Sequence, residues 1–144
     1  MILSKSRFFL LLVLVIAIPF LLYKMNWLLH SQKTSGIMSF KGKSITGQLV
    51  HEYSVLFFKV GKDTVWFDGN DNIFYKEGES VPVRYQINDP QDARIDAFIP
   101  IWGDVLVYGG IPILILLIIF LHPQIIPLGS TIKLTTTKPF VEIV

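Results

Sequence analysis

Two long, uncharged, apolar blocks constrain this chain more than anything else in it. The first covers residues 8–23, FFLLLVLVIAIPFLLY, and beyond Lys24 it continues through Met25, Asn26, Trp27, Leu28 and Leu29. The second covers residues 105–121, VLVYGGIPILILLIIFL, with residues 101–104 extending it as an interfacial turn. A helix needs about 20 apolar residues to cross a bilayer. Residues 8–29 reach that length if Lys24 snorkels toward headgroups. The second block has no polar face, which argues against a core helix of a soluble protein. The expectation is a membrane protein with two transmembrane α-helices.

Pro19 and Pro112 lie inside the blocks. In water each would break a helix; in a helix bundle, neighbouring groups absorb the lost hydrogen bond. Gly109 and Gly110, just before Pro112, mark a kink or a close helix approach. Lys5 and Arg7 ahead of the first block also suit a cleaved signal peptide. No small-x-small site follows the apolar run, however, and the absence of Cys excludes a lipoprotein anchor, so the block reads as a retained anchor.

The averages now make sense as a mixture. The chain is 51% hydrophobic but only 17% charged, against a usual charged share of about 25%. A net charge of +2 with no Cys leaves no basis for a nucleic-acid partner or a disulfide-stapled module. Lys5 and Arg7 before the first helix, with Lys133 and Lys138 after the second, favour cytoplasmic termini and an extracytoplasmic middle; Lys24 and Lys33 argue weakly the other way. Trp27 after the first helix and Trp102 before the second fall at the same interface of a hairpin, with Tyr23 and Tyr108 about one turn deeper. All four are expected as membrane-interface anchors, since aromatic rings favour that depth.

Residues 31–100 change character. Lys and Arg at 33, 41, 43, 59, 62, 76, 84 and 94 nearly balance Asp and Glu at 52, 63, 68, 71, 77, 79, 89, 92 and 96. Turn signals recur at Lys41-Gly42-Lys43, Gly61-Lys62-Asp63, Asp68-Gly69-Asn70 and Glu77-Gly78-Glu79. Strands are expected at 45–52, 55–60, 64–67, 72–75, 81–85 and 93–96, the clearest hairpin flanking Gly61-Lys62-Asp63. Pro82 suggests an edge strand or a strand start. Phe57, Phe58, Trp66, Phe67, Phe74 and Tyr85 are the aromatic core candidates of a small barrel- or sandwich-like domain.

Gly78-Glu79-Ser80-Val81-Pro82-Val83-Arg84-Tyr85, followed by Pro90, Ala93 and Ile95, resembles the bacterial membrane family catalogued as domain of unknown function 3592. Thr46-Gly47, with Leu49 and Val50 following, is similar to an early pattern of that family. The resemblance spans roughly residues 45–121. It implies a helix, a small β domain and a second helix beginning near a Trp, and it implies no reaction. The family often has D-P-x-N-P after the Tyr; here residues 86–90 read QINDP, and only the last Pro is kept.

Chemistry-bearing motifs are few. Asp68, Asn70, Asn72 and Glu79 occupy positions one, three, five and twelve of a calcium loop, but Ile73 sits where that loop requires Gly. The stretch Asp68-Gly69-Asn70-Asp71-Asn72 reads instead as a hairpin turn. His30, His51 and His122 have no metal-ligand spacing, and Ser54 beside Tyr53 and His51 is no dyad on spacing alone. No catalytic residue, cofactor or metal site is expected. Asp104 reads either as a helix N-terminal cap or as the ion-pair partner of Lys24 near the interface. The Thr-rich tail reads as frayed, as a strand lent to a partner sheet, or as packed along the membrane surface.

The expected organisation is a cytoplasmic tail and first helix at 1–30, a small extracytoplasmic β domain at 31–100, a second helix at 101–122 and a cytoplasmic tail at 123–144. The expected function is a non-catalytic, membrane-anchored interaction or accessory module of a larger inner-membrane or envelope complex. Its partners would be the lipid bilayer and other membrane or envelope proteins. A ligand- or stress-sensing membrane protein is the alternative, and a membrane-bound enzyme ranks last.

Overall fold

The computed structural model describes residues 1–70, 73–127 and 129–144. In chain order the elements are β1 (Ile2–Ser4), α1 (Lys5–Leu29), β2 (Ser31–Thr46), β3 (Leu49–Val60), β4 (Asp63–Asp68), β5 (Ser80–Gln86), β6 (Ala93–Ile95), α2 (Phe98–Val105), α3 (Ile111–Leu121), β7 (Thr131–Leu134) and β8 (Val141–Ile143). A wide π turn, Leu106–Gly110, joins α2 to α3, making one continuous helix, Phe98–Leu121. Both long helices are long and apolar enough to cross a membrane. The chain divides into two compact units, one of residues Met1–Lys24 and Asp104–Val144, the other of Met25–Gly103.

The Met25–Gly103 unit is mainly β. Its five-stranded antiparallel sheet has the order β4-β3-β2-β5-β6. Three consecutive strands are joined by tight turns, and a fourth returns by a longer connection to lie beside the first, which is a Greek key. Both tight turns are two residues long and open on a glycine with positive φ: Gly47 (φ 63) and Gly61 (φ 62). A side chain at either would meet the left-handed steric penalty that Gly escapes.

Strand β2 serves two neighbours. Ser31–Ile37 pairs with β5, and Ile37–Thr46 pairs with β3, with a register shift between Met38 and Phe40. Such a bulge bends a strand and lets one strand turn from one partner to the next. Gly36 sits under this bend, where a Cβ would lie 2.8 Å from a Val83 methyl. The core fills one face only: Leu56, Phe58, Val65, Phe67, Val81, Val83, Tyr85 and Ile95.

Several expectations need correcting here. Residues 45–52 are not one strand, because the chain reverses at Gly47-Gln48 and β3 then runs unbroken from Leu49 to Val60. Lys41-Gly42-Lys43 is no turn but the interior of β2, where Gly42 lies against the Tyr53 ring of the neighbouring strand. The strand expected at 72–75 begins outside the described residues, as do Asp71 and Asn72 of the acidic turn; residues 73–75 form no strand. Of the six aromatic core candidates only Phe58, Phe67 and Tyr85 are buried. Alternation sends Phe57 and Trp66 to the opposite face, and Phe74 is exposed. Pro82 lies in a strand with neighbours on both sides. Its carbonyl accepts from the Asp96 N–H, so its missing N–H falls on the β6 side, one residue past the β6 ladder.

In the other unit the helices contact each other through Phe9 and Phe120 (ring centroids 5.3 Å apart) and through Gly109, whose missing Cβ leaves room for the Phe20 ring. Pro112 cannot donate to the carbonyl one turn back, and the π turn falls directly before it. The tail neither frays nor extends away. Strands β7 and β8 join β1 in a three-stranded sheet, order β1-β7-β8.

Candidate functional site

Two places concentrate polar chemistry, one in each unit. In the helical unit, Lys24 is fully buried and its Nζ donates to Asp104 Oδ2 at 2.8 Å, while the Asp104 side chain is 33% exposed. Asp104 Oδ1 accepts the Val105 N–H at 2.8 Å. The cap reading of Asp104 fails, because the helix already begins at Phe98. What the carboxylate does instead is face a cation removed from water. Such a pair is held by geometry, since either charge alone would bear the full desolvation cost.

Beside the pair lies a groove of about 350 Å³ lined by Pro19, Phe20, Tyr23, Asp104, Val105 and Tyr108. Its one charged group is already engaged by Lys24. The groove therefore suits an apolar group rather than a polar substrate. Tyr23 and Tyr108 are 59% and 68% exposed, on the outer surface of the helices.

In the β unit, Trp27 does not project outward as an anchor would. It is buried, its Nε1 donates to Asp92 Oδ2 at 2.6 Å, its carbonyl accepts from Gln86 Nε2 at 2.6 Å, and the Arg94 guanidinium lies 5.1 Å from its ring. Trp102 is half-buried. The last turn of α1 is thus fastened to the β5–β6 end of the sheet. A second network fastens the start of β2. Arg84 donates from Nε to Asp96 Oδ1 (3.1 Å) and from Nη1 to Ser31 Oγ (3.0 Å), Ser31 Oγ donates to the Leu28 carbonyl, and Lys33 Nζ reaches Asp96 Oδ2 at 2.8 Å. The hydrogen bond from Lys33 holds the Asp96 carboxyl below the usual carboxylate range; burial opposes this, and Arg84 adds to it. Sequence reasoning missed this network, because its members are far apart in the chain and no spacing links them.

The residues of the family-like pattern have structural places. Val81, Val83, Tyr85 and Ile95 are core residues, and Ala93 packs at the core's edge. Gly78 takes φ 80 in the turn before β5, and Pro90 lies between β5 and β6. Ser54, fully buried, donates to the Ile73 carbonyl at 3.1 Å and accepts from the Tyr75 N–H, which is a loop tether. Among the described residues no group of three His, Cys, Asp or Glu side chains could hold a metal ion.

The outer face of the β sheet carries a different kind of feature. Ile37, Phe57 and Trp66 stand opposite one another across β2, β3 and β4. Trp66 lies 4.9 Å from Phe57 and 6.4 Å from Phe40, centroid to centroid. Ile37, Phe40 and Trp66 are 42%, 50% and 47% exposed. Past this ladder, among the described residues, β2 and β3 continue as a two-stranded arm with no third strand, since β5 pairs only as far as Ile37 and β4 only as far as Val55. Near its tip Ile45, Leu49 and Val50 are exposed. Compared with family models, with curated proteins and with solved structures, the chain matches none.

Proposed function

We propose that this chain is a non-catalytic, membrane-anchored interaction module whose β domain docks onto another protein of the bacterial inner membrane or envelope. The observation that carries the reading is the exposed ladder of Ile37, Phe40 and Trp66 on the outer face of the sheet. A contiguous apolar patch on a folded surface marks an interaction site more often than chance. The adjoining arm adds strand edges on which, among the described residues, no third strand lies, a common template for adding a strand from a partner. Two helices with apolar surfaces supply the anchor, and the flanking Lys and Arg residues favour cytoplasmic ends and an extracytoplasmic β domain. The resemblance to domain of unknown function 3592 implies the same plan.

Two measurements test this. A photo-crosslinking residue at Trp66 in the full chain, in its native membrane, should give one discrete adduct that the same residue at Lys62 does not give. Identical patterns at both positions would remove the ladder from consideration. Reporter fusions at Lys62 and after Val144 should report opposite compartments; the same compartment for both would end the hairpin topology.

A further inference from the structure

The three-stranded sheet of β1, β7 and β8 has two unlike faces. In register, Leu3 faces Ile132 and Ile143, while Ile2 faces Lys133 and Glu142. Met1 continues the ladder opposite Leu134, exchanging backbone hydrogen bonds of 2.8 and 2.7 Å with it, and Leu134 stands opposite Val141. Period-two alternation therefore puts Met1, Leu3, Ile132, Leu134, Val141 and Ile143 on one face. The other face carries Ser4, Thr131, and an ion pair between Lys133 and Glu142 at 3.1 Å, with Ile2 among them.

The apolar face is only partly covered. Ile132, in the central strand, is 1% exposed against Phe9 and Ile126, with Phe120 beside them. On the same face, Met1, Val141 and Ile143 in the outer strands remain 69%, 49% and 51% exposed. Phe140, just before β8, is 56% exposed. The overhang is apolar, and the chain itself places it, because Ser4 of β1 is followed directly by Lys5, the first residue of α1. Lys5 is buried at this junction and donates to the Ile126 carbonyl at 2.8 Å, with the Phe120 ring 5.0 Å away. A helix of 25 residues is roughly 37 Å long, slightly more than a hydrocarbon core of about 30 Å. If α1 spans, its first turn lies at the headgroup boundary, and so does the sheet attached to it. Exposed Arg7 and Lys138 are placed to meet anionic headgroups.

We propose that this terminal sheet is an interfacial membrane element, lying on the lipid surface with Val141, Ile143 and Met1 dipped among the acyl chains. The occupant of its overhanging apolar face is lipid, and the inference rests on the reading that the two helices cross the bilayer. The chain has no Cys, so single-cysteine variants need no background removal. The full chain would be placed in phosphatidylcholine–phosphatidylglycerol vesicles with a nitroxide at one site, and collisions with oxygen and with a water-soluble nickel chelate would be measured. Val141→Cys and Ile143→Cys should show several-fold fewer chelate collisions than Lys133→Cys and Glu142→Cys. Val15→Cys, mid-helix, calibrates acyl depth, and far-UV circular dichroism checks each labelled chain for folding. If 141 and 143 are as chelate-accessible as 142 while Val15 reads acyl depth, the interfacial sheet is overturned and the spanning helices stand. If Val15 is itself chelate-accessible, both fall together.

Discussion

The two units of this molecule differ most in what they leave on their surfaces. In the β unit Leu56, Phe58, Val81, Val83 and Ile95 are buried, and Lys33, Lys43 and Glu79 face outward. In the helical unit Leu14, Val15, Leu22, Leu114 and Ile115 face outward; a small cluster of Phe9, Ile126 and Ile132 is buried, and among the described residues the buried polar side chains are Lys5 and Lys24. Only 11% of the apolar window in α1 and 6% of that in the second long helix is covered by protein. Water drives apolar groups inward and leaves charges out. A surface of Leu, Ile and Val around two engaged lysines is the arrangement that hydrocarbon surroundings favour. On the proposed membrane reading, each unit hides what its own solvent rejects.

The most direct way to break the comparison is to remove one large apolar side chain from each unit. Phe58→Ala opens a cavity among Leu56, Phe67 and Tyr85 and should destabilise the β unit by about 3–5 kcal/mol. Val15→Ala in α1, outward-facing and 69% exposed, should cost about 0.5 kcal/mol or less. Both are read from unfolding of the full chain in mild detergent, followed by far-UV circular dichroism, which sees helix and strand alike. Comparable losses would mean that Val15 is covered rather than facing outward.

The second test reverses the roles and removes a charge. Asp104→Ala leaves Lys24, fully buried, without its carboxylate. Breaking a buried pair from one side costs about 3–5 kcal/mol, and the one-third exposure of Asp104 brings the expected loss below that range, to about 2–3 kcal/mol. The double variant Lys24→Met with Asp104→Leu should recover most of that loss. A double variant as unstable as Asp104→Ala would show that the pair's neighbours, not its charges, set the cost.

How much of this was legible in the residues differs between the units for the same reason. The helices announce themselves because residues 8–23 and 105–121 are apolar in every direction, so no periodicity has to be judged. The hairpin around Gly61-Lys62 was also readable, since both flanks are apolar and β-branched. The equivalent Gly47-Gln48 turn was hidden, because Thr46, Lys43 and Ser44 beside it carry no core-facing alternation. Gly42 imitated a turn; in the structure its bare backbone makes room for Tyr53. Paired aromatics such as Phe57-Phe58 and Trp66-Phe67 put one ring on each face, and composition alone could not say which. The terminal sheet was beyond local reading, because it joins residues 2–4 to residues 131–134. Lys24 and Asp104 could be set side by side only because the tryptophans suggested a common depth.

A smaller effect comes from pH. The Lys33 hydrogen bond, aided by Arg84, holds Asp96 below the usual carboxylate range. The folded state therefore holds its charged form more strongly than the unfolded chain does. The stability this contributes is fully present above the unfolded carboxylate value of about 4 and is lost as pH falls through the lower folded value. Asp96→Asn should flatten the acid limb of the unfolding midpoint below about pH 4. An unchanged acid limb would assign acid sensitivity to other carboxylates.

The smallest expected effect lies on the arm. Lys43 Nζ meets Glu52 Oε1 at 2.7 Å across β2 and β3. Their mutual hydrogen bond raises the Lys43 pKa and lowers that of Glu52. Both side chains are well exposed, 66% and 39%, so water and salt screen the pair and side-chain entropy opposes it. Lys43→Gln should leave the unfolding midpoint unchanged at physiological salt. The same substitution bears on the proposed docking face, because it asks whether this pair on the arm supports the β unit. If the midpoint instead drops markedly, the arm is part of the folded core's support. The ladder of Ile37, Phe40 and Trp66 would then have to carry the docking alone.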